Sequence, residues 1–443
     1  MVGTPPLTPR TLHQRLQSEG AGGRFCIAYS GGLDSTVLLH LMSTLAAEGV
    51  LRLRAVHVHH GLQPAADDWA SHCVRVAGEL GVACQVLPVA VDRTSGEGLE
   101  AAARRARYAA LRGVLEAGEV LLTAHHADDQ AETVLLHLLR GSGPRGLAAM
   151  RGRRALGEHL LLRPLLPWGR KSLCRYASEH RLSWVDDPTN EHTGHDRNWL
   201  RHTLWPVLTA RWPDASDRLA RAAHEQAEAD GLLQDLAALD LARQPAGTGL
   251  HVPALAALSG ARARNLVRHW LLRSGVRPPP RARLEQGLMD LLRAGPDRQP
   301  VLSWPEGELR RYRDRIFRLP PGGPARWPVP EQPWDLREPL VIPGIGELRL
   351  VPAEAGIPAS LVAAAGLSVG PRRPGERACL DTSPGRRPLS RYFQEAGVPP
   401  WQRDRIPVLR QSGDIVAVAN IGTERRYRQV PGYRLEWRDT GAD

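Results

Sequence analysis

The sequence predicts an α/β protein: a doubly wound parallel five-stranded sheet, then a helical middle domain and a small α+β C-terminal domain. Three observations predict it. From Arg24 to about Leu166, short apolar runs alternate with stretches of helical spacing, the pattern of strand–helix–strand units in a parallel sheet. From Ser216 to Leu239 an Ala/Leu/Glu-rich run reads as one long exposed helix. Leu319 to Leu340 is too rich in Pro and Gly for a regular element and marks a boundary or an extended connector.

The predicted strands are "RFCIAYS", "LRAVHVHH", "CQVLPVAV", "EVLLTAHH" and "HLLLRPLL", with helices near residues 34–47, 66–80, 99–117 and 128–140 between them. A helix near 168–181 follows, then the polar loop "DDPTNEHTGHDRNWLRHTLWP". "GARARNLVRHWLLRSG" and "RARLEQGLMDLLRAG" continue the helical middle region, whose arginines fit a solvated face. Beyond the Pro/Gly segment, "LVIPGIGELRLVP" and "GDIVAVANIG" read as strands between turns. The expected domains are 1–210, 211–325 and 326–443, without an internal repeat.

At 443 residues the chain exceeds what one hydrophobic core serves well, so several domains are expected. "MVGTPPLTPR" lacks the apolar core of a signal peptide, and no run approaches the ~20 apolar residues of a membrane span, so the expected location is cytoplasmic, with no membrane partner. Five cysteines stand without a Cys-x-x-Cys pair, so no structural zinc, iron–sulfur cluster or disulfide framework is predicted. The net charge of +11 points to a polyanionic partner such as nucleic acid. Charge alone does not decide this. Lys171 is the one lysine among the basic residues, and heavy Arg, Ala, Gly and Pro use is also what a GC-rich coding bias produces. Arginine is nevertheless the better residue for bidentate phosphate contacts.

The chemistry begins in "AYSGGLDSTVLLH", where Ser30, Gly31, Gly32, Leu33, Asp34 and Ser35 join the first strand to the first sheet helix. A Walker loop would place a lysine here, and this turn has none. The glycines let N–H groups and the serine hydroxyls converge on an anion at a helix N-terminus, so all six residues are candidate ATP contacts. Asp34 is suited to holding a Mg²⁺ that binds the phosphates.

Two further stretches end strands. "HVHHGLQ" carries His60, and "TAHHADDQAET" carries His125, Asp129 and Glu132. In an open parallel sheet both lie on the same carboxyl edge as the glycine turn. Asp129 and Glu132 are three apart on a helix, so their carboxylates share a face able to receive an ammonium or a metal; as acids in a first helical turn they also suit the macrodipole. Glu100, Arg104, Arg107 and Tyr108 fall on one helix, and Arg197, Asn198 and Arg201 form a donor cluster suited to phosphate.

The S-G-G-x-D-S hexapeptide resembles the PP-loop of the ATP pyrophosphatase superfamily, whose fold is adenine-nucleotide α-hydrolase-like. With V-x-H-G-L, E-x-x-x-R-x-x-R-Y, A-H-H-x-D-D-Q-x-E-T, D-x-T-N and R-N-x-x-R-H in that order, the chain resembles the tRNA(Ile)-lysidine synthetases. "PLSRYFQEAGVPPWQRDRIPVL" is similar to that family's C-terminal domain, so the resemblance is weakest over about residues 205–340.

The resemblance implies a carbon–nitrogen ligase acting on isoleucine tRNA with a CAU anticodon. ATP adenylates C2 of the wobble cytidine with release of pyrophosphate, and the ε-amine of free lysine displaces AMP to give lysidine. It implies that Ser30 to Ser35 hold pyrophosphate and that Asp34 serves the metal or the adenylation step. Asp129 and Glu132 then recognise the lysine amine groups, Arg104 and His125 stand by the reacting atoms with His125 a proton acceptor, and Arg197 steadies phosphate charge. His60, Glu100, Asn198 and Arg201 are further active-site candidates. Two positions depart from the family: Gln63 stands where an arginine is common, and Arg391 where a lysine is common. Arg386, Arg387 and Arg391 are the tRNA-binding candidates, interleaved with Tyr392 and Phe393 in a composition that suits phosphate contact and base stacking. Trp401, between a proline pair and an amphipathic stretch, reads as packed. A homodimer is compatible with the sequence. The alternatives are a tRNA cytidine thiolase, whose iron–sulfur type needs clustered cysteines, and a noncatalytic RNA-binding relic, which would not need the acidic and histidine sets.

Overall fold

The computed structural model describes residues 5–61, 65–91, 99–186, 196–295, 298–325, 327–328, 331–362, 364–381 and 383–439, with the side chains of 99 and 100 left aside. Gln63 and the Glu100 side chain therefore lie outside the described residues. Contacts divide the chain into two compact units, Met1–Leu232 and Leu233–Asp443.

The first unit opens with α1 (Pro9–Ser18), which buries Leu12 and Leu16, and which the sequence reading did not include. Then come β1 (Arg24–Ala28), α2 (Leu33–Ala47), β2 (Arg52–His59), α3 (Ala66–Glu79), β3 (Ala83–Pro88), α4 (Leu99–Val114) and β4 (Val120–Leu122). α5 (Ala127–Leu139), α6 (Pro144–Leu147), β5 (Arg153–Leu156), β6 (His159–Leu162) and α7 (Arg170–Glu179) follow. The strand order is β3-β2-β1-β4-β6-β5, with the five expected strands parallel. The sixth, β5, is an antiparallel edge strand absent from the sequence reading, because "RRAL" carries two exposed arginines and no apolar alternation.

Alternation along β1 divides the core between the two faces of the sheet. Phe25 and Ile27 join a core with Leu12, Val37, Leu41 and Leu173, whereas Cys26 joins Val56, Leu111, Leu121 and Leu161 on the other face. α2 is buried on nearly every side, so its N-terminus is fixed at the end of β1. Since β2 and β4 flank β1, the chain reverses its winding direction between β1 and β4. The crevice at the carboxyl ends of those two strands is where doubly wound sheets bind ligands.

The unit ends with α8 (Asp196–Trp199), a single π-helical turn at Leu200–Leu204, α9 (Trp205–Arg211) and the start of α10 (Ala215–Ala242). No helix among the described residues is long and apolar enough to cross a membrane.

The second unit holds two hydrophobic cores. One runs from Leu250 to Ile316 and is built by α11 (Val252–Ala256), α12 (Gly260–Arg273) and α13 (Arg281–Arg293) against a four-stranded antiparallel sheet. α12 and α13 are the expected helices, and α11 and the sheet, from β7 (Leu250–His251), β8 (Val301–Trp304), β9 (Gly307–Tyr312) and β10 (Arg315–Leu319), are additions to them. Arginines at successive strand positions, as in "GELRRY", hide its alternation. The other core runs from Trp334 to Leu435 between a five-stranded and a three-stranded antiparallel sheet, with α14 (Leu389–Glu395) and α15 (Pro400–Arg403). Trp401 packs as expected, edge-on to Phe317 and Tyr312 with ring centroids 5.6 and 6.2 Å away.

Candidate active site

The glycine turn is built by geometry that few residues tolerate. Gly31 has φ +83°, and a Cβ there would stand 2.7 Å from Cys73 Sγ. Gly32 begins α2 in extended conformation with no side chain capping the helix, which leaves the first-turn N–H groups open to an anion. Ser30 and Ser35 hydroxyls lie 3.0 Å apart beside them, and Ser35 and Thr36 each donate to the Gly32 carbonyl at 3.0 Å. Leu33 points into the core, so only its backbone is available to a phosphate.

A cavity of about 490 Å³ opens from this turn across the carboxyl edge of the sheet. Ser30, Asp34, His60, Tyr108, His125 and Asp129 are among the residues that line it. His60 Nδ1 is buried without a hydrogen-bond partner, and burial, with help from Arg107, pushes its pKa down. His57 forms part of the floor and is held by contact of Nδ1 with the Tyr29 carbonyl at 3.0 Å.

His126, which the sequence sets beside His125 and the acids of the same stretch without a role of its own, is 2 % exposed at the head of α5. Nε2 stands 3.5 Å from both Asp34 Oδ2 and Asp129 Oδ2, and Nδ1 stands 3.6 Å from Asp128 Oδ2. Burial works against charge on the ring, but hydrogen bonding to Asp128 and Asp34 and the charge of Asp129 overcome it, raising the pKa to about 10. Asp128 N–H also lies 3.2 Å from Nδ1, so the neutral ring caps the helix and the charged ring pairs with the carboxylate. Asp128 further accepts from the Arg170 N–H at 2.6 Å and the Ser216 hydroxyl at 2.7 Å, which ties α5 to α7 and α10. His125 and His126 are alike in type, so only the turn at the end of β4 decides that His126 points inward and His125 to the cavity.

His125 takes the opposite charge state. Burial lowers its pKa, Asp129 opposes, and the nearby Arg163, Arg104 and Arg197 charges add to the lowering, so the ring is neutral at neutral pH. Nδ1 lies 3.0 Å from the Thr123 hydroxyl. Arg104 also stands over the Tyr108 ring at 5.4 Å.

Asp129 and Glu132 share a face, as their spacing predicts, but both are already engaged. Arg197 donates through Nη2 to Asp129 at 2.9 Å and through Nε to Glu132 at 2.8 Å. Arg201 donates through Nε and Nη2 to Glu132 at 2.7 and 2.9 Å and reaches Asp129 at 3.3 Å. Burial raises and the His126 and Arg197 charges lower the Asp129 pKa, with a net lowering. Asn198 is half-buried beside Arg197 on α8.

Among the described residues no group of three or more His, Cys, Asp or Glu side chains is arranged to hold a metal ion. Asp34 Oδ1 is the one carboxylate oxygen among them that is buried with no hydrogen-bond partner. It fits a magnesium ion, which takes few protein carboxylates and completes its shell with phosphate and water.

The tRNA-binding candidates belong to the second unit. Arg387 stacks on the Tyr392 ring at 4.4 Å and pairs with Glu395 at 2.9 Å, Arg391 is exposed and lies 3.4 Å from the same carboxylate, and Arg386 donates to the Arg377 carbonyl at 2.9 Å. Tyr392 and Phe393 are buried in the C-terminal core, which corrects the expectation that they stack on bases: both sit on the apolar face of α14.

Three family models match the chain: a PP-loop domain over residues 8–208, a TilS substrate binding domain over 250–317 and a TilS substrate C-terminal domain over 367–437. A tRNA(Ile)-lysidine synthase of Alkalilimnicola ehrlichii is 67% identical over 443 residues, covering 100% of both chains. Proteins of the same name from Pseudomonas aeruginosa and Xanthomonas axonopodis pv. citri are 44% and 43% identical, over 98% and 100% of this chain and 97% and 98% of theirs.

Proposed function

The chain belongs to the tRNA(Ile)-lysidine synthase family, and from that premise we propose that it is an ATP-using, tRNA-modifying ligase that makes lysidine at the wobble cytidine of isoleucine tRNA with a CAU anticodon. The observation that carries the reading is the meeting of the glycine turn with the "AHHADDQAET" helix, whose Asp34 and Asp129 stand 3.5 Å from one imidazole. A phosphate-gripping turn and an acidic amine site thus share one edge of the sheet, as two successive reactions on one base require.

In the first step the C2 carbonyl oxygen of the cytidine attacks the α-phosphorus and pyrophosphate leaves. The open N–H groups at the head of α2, with the Ser30 and Ser35 hydroxyls, receive the leaving charge. A magnesium ion held by Asp34 would supply further neutralisation of the pyrophosphate. In the second step the neutral ε-amine of lysine attacks C2 and AMP leaves. Asp129 and Glu132 bind the amine groups of lysine, His125 accepts the proton that the nucleophile loses, Arg104 stands beside it, and Arg197 steadies phosphate charge. A neutral His125 is what proton acceptance requires, while its burial and the neighbouring arginine charges make it a weak base until substrate charge is present beside it. His60 lines this site, Arg201 holds its carboxylates, and Asn198 and Glu100 are assigned to it on the resemblance alone.

We divide the labour as a catalytic domain over 1–210, a tRNA-contacting domain over 211–325 and a tRNA-binding domain over 326–443, with Arg386, Arg387 and Arg391 as phosphate contacts. The test supplies purified protein with ATP, Mg²⁺, labelled lysine and transcripts of isoleucine and methionine CAU tRNAs. Label enters the isoleucine transcript alone; its absence there despite ATP binding refutes the reading.

A further inference from the structure

The guanidinium assigned to phosphate charge lies on the carboxylates assigned to the amine. Arg197 bridges Asp129 and Glu132 with one hydrogen bond to each, at 2.9 and 2.8 Å. Arg201 makes three more, and Asp129 Oδ2 accepts from the His126 N–H at 3.1 Å and lies 3.5 Å from Nε2. A carboxylate offers about four acceptor sites and an ammonium brings about three donors. Three hydrogen bonds on Asp129 and three on Glu132 leave about one acceptor site on each, fewer than the three donors of an ammonium until one guanidinium leaves.

We propose that Arg197 is a placeholder for the amino-acid substrate: nucleotide phosphate draws it away from Asp129 and Glu132, and the ammonium of lysine takes the vacated position. This rests on the amine-site assignment above. Both arginines touch both carboxylates, and Arg197 is the exchangeable one because it makes two hydrogen bonds to Arg201's three. It rides on α8, a four-residue turn followed directly by the π-helical turn Leu200–Leu204, a weakly bonded backbone form common at functional sites. Asp129, to which Arg197 bonds, lines the same cavity as Ser30 and Asp34 of the glycine turn.

The physical drive is charge balance. Asp129 and Glu132 are 13% and 3% exposed, and a buried carboxylate left without a cation is costly. Exchange of guanidinium for ammonium keeps two positive charges on two negative ones, whereas departure of Arg197 alone does not. Nucleotide and lysine therefore favour each other's binding, and the coupling is reciprocal.

Calorimetric titration of lysine into the full chain, with and without Mg²⁺ and α,β-methylene ATP, tests this. In the wild type the nucleotide tightens lysine binding by about 5-fold or more. Arg197→Met binds lysine more tightly than the wild type without nucleotide and loses the nucleotide effect, while Arg197→Lys retains part of it. Equal lysine affinity with and without nucleotide in the wild type, which depends on no variant's folding, overturns the proposal, as does weaker lysine binding by nucleotide-free Arg197→Met. Glu132→Gln separates the two layers: lysine affinity unchanged by this substitution refutes the amine-site assignment itself, and the placeholder with it.

Discussion

Asp34 on α2 and His126 on α5 face each other at 3.5 Å across the point where the sheet reverses its winding. One oxygen of Asp34 meets the imidazole and the other is buried without a partner, so the carboxylate is aimed and unsaturated at once. Asp34→Ala is expected to reduce pyrophosphate release by about 10²-fold or more while tRNA affinity stays near the wild-type value. Release assays and filter binding check this, and a full loss of tRNA binding would make the turn structural.

The His126 imidazolium makes stability depend on pH. Its folded-state pKa of about 10 exceeds the ordinary 6.5, so the folded chain holds a proton that the unfolded chain loses across that interval. The contribution is complete below 6.5 and lost as pH rises through about 10. Denaturant melts of the wild type should show stability falling between these limits, and His126→Gln should give a flatter profile. A parallel decline in both proteins would contradict the assignment.

Gly31 is required by conformation and by space. Gly31→Ala forces a side chain into φ +83° and against Cys73 Sγ at 2.7 Å, with an expected cost of about 1–3 kcal/mol in chemical denaturation. Gly32→Ala meets only ordinary contacts, the nearest at 3.6 Å, and should fold normally but bind ATP more weakly.

What was legible in the sequence follows from range. Strands buried on both faces are short apolar runs, so β1 and β4 announce themselves, and Asp129 and Glu132 share a face by helical arithmetic alone. β5 and β9 do not, because their arginines mask the period of two. Nor does the sequence reveal that Arg197 and Arg201, more than sixty residues downstream, close on those same carboxylates. The donor cluster and the acid pair were each visible, but their meeting is a tertiary fact. His126 shows the same limit at short range: it and His125 differ only in which side of the chain faces inward.

The second unit separates structure from recognition at neighbouring arginines. Arg391 is exposed and lies 3.4 Å from Glu395, whereas Arg387 stacks on a core tyrosine. Arg391→Ala should weaken tRNA binding, reduce its salt slope by about 1 and leave thermal stability unchanged. Arg387→Ala should lower the melting temperature as well. Salt titrations and melts distinguish the two.

On the proposed function, one sheet edge first adenylates a tRNA base and then passes it to an amine. A rapid-quench experiment with α-labelled ATP and the isoleucine CAU transcript, without lysine and then chased with it, tests this directly. AMP label should accumulate on the RNA, only when the wobble base is cytidine, and leave as free AMP in step with lysine incorporation. No RNA-linked AMP in wild type or in Asp129→Ala, with lysine still incorporated by the wild type, would contradict the two-step account.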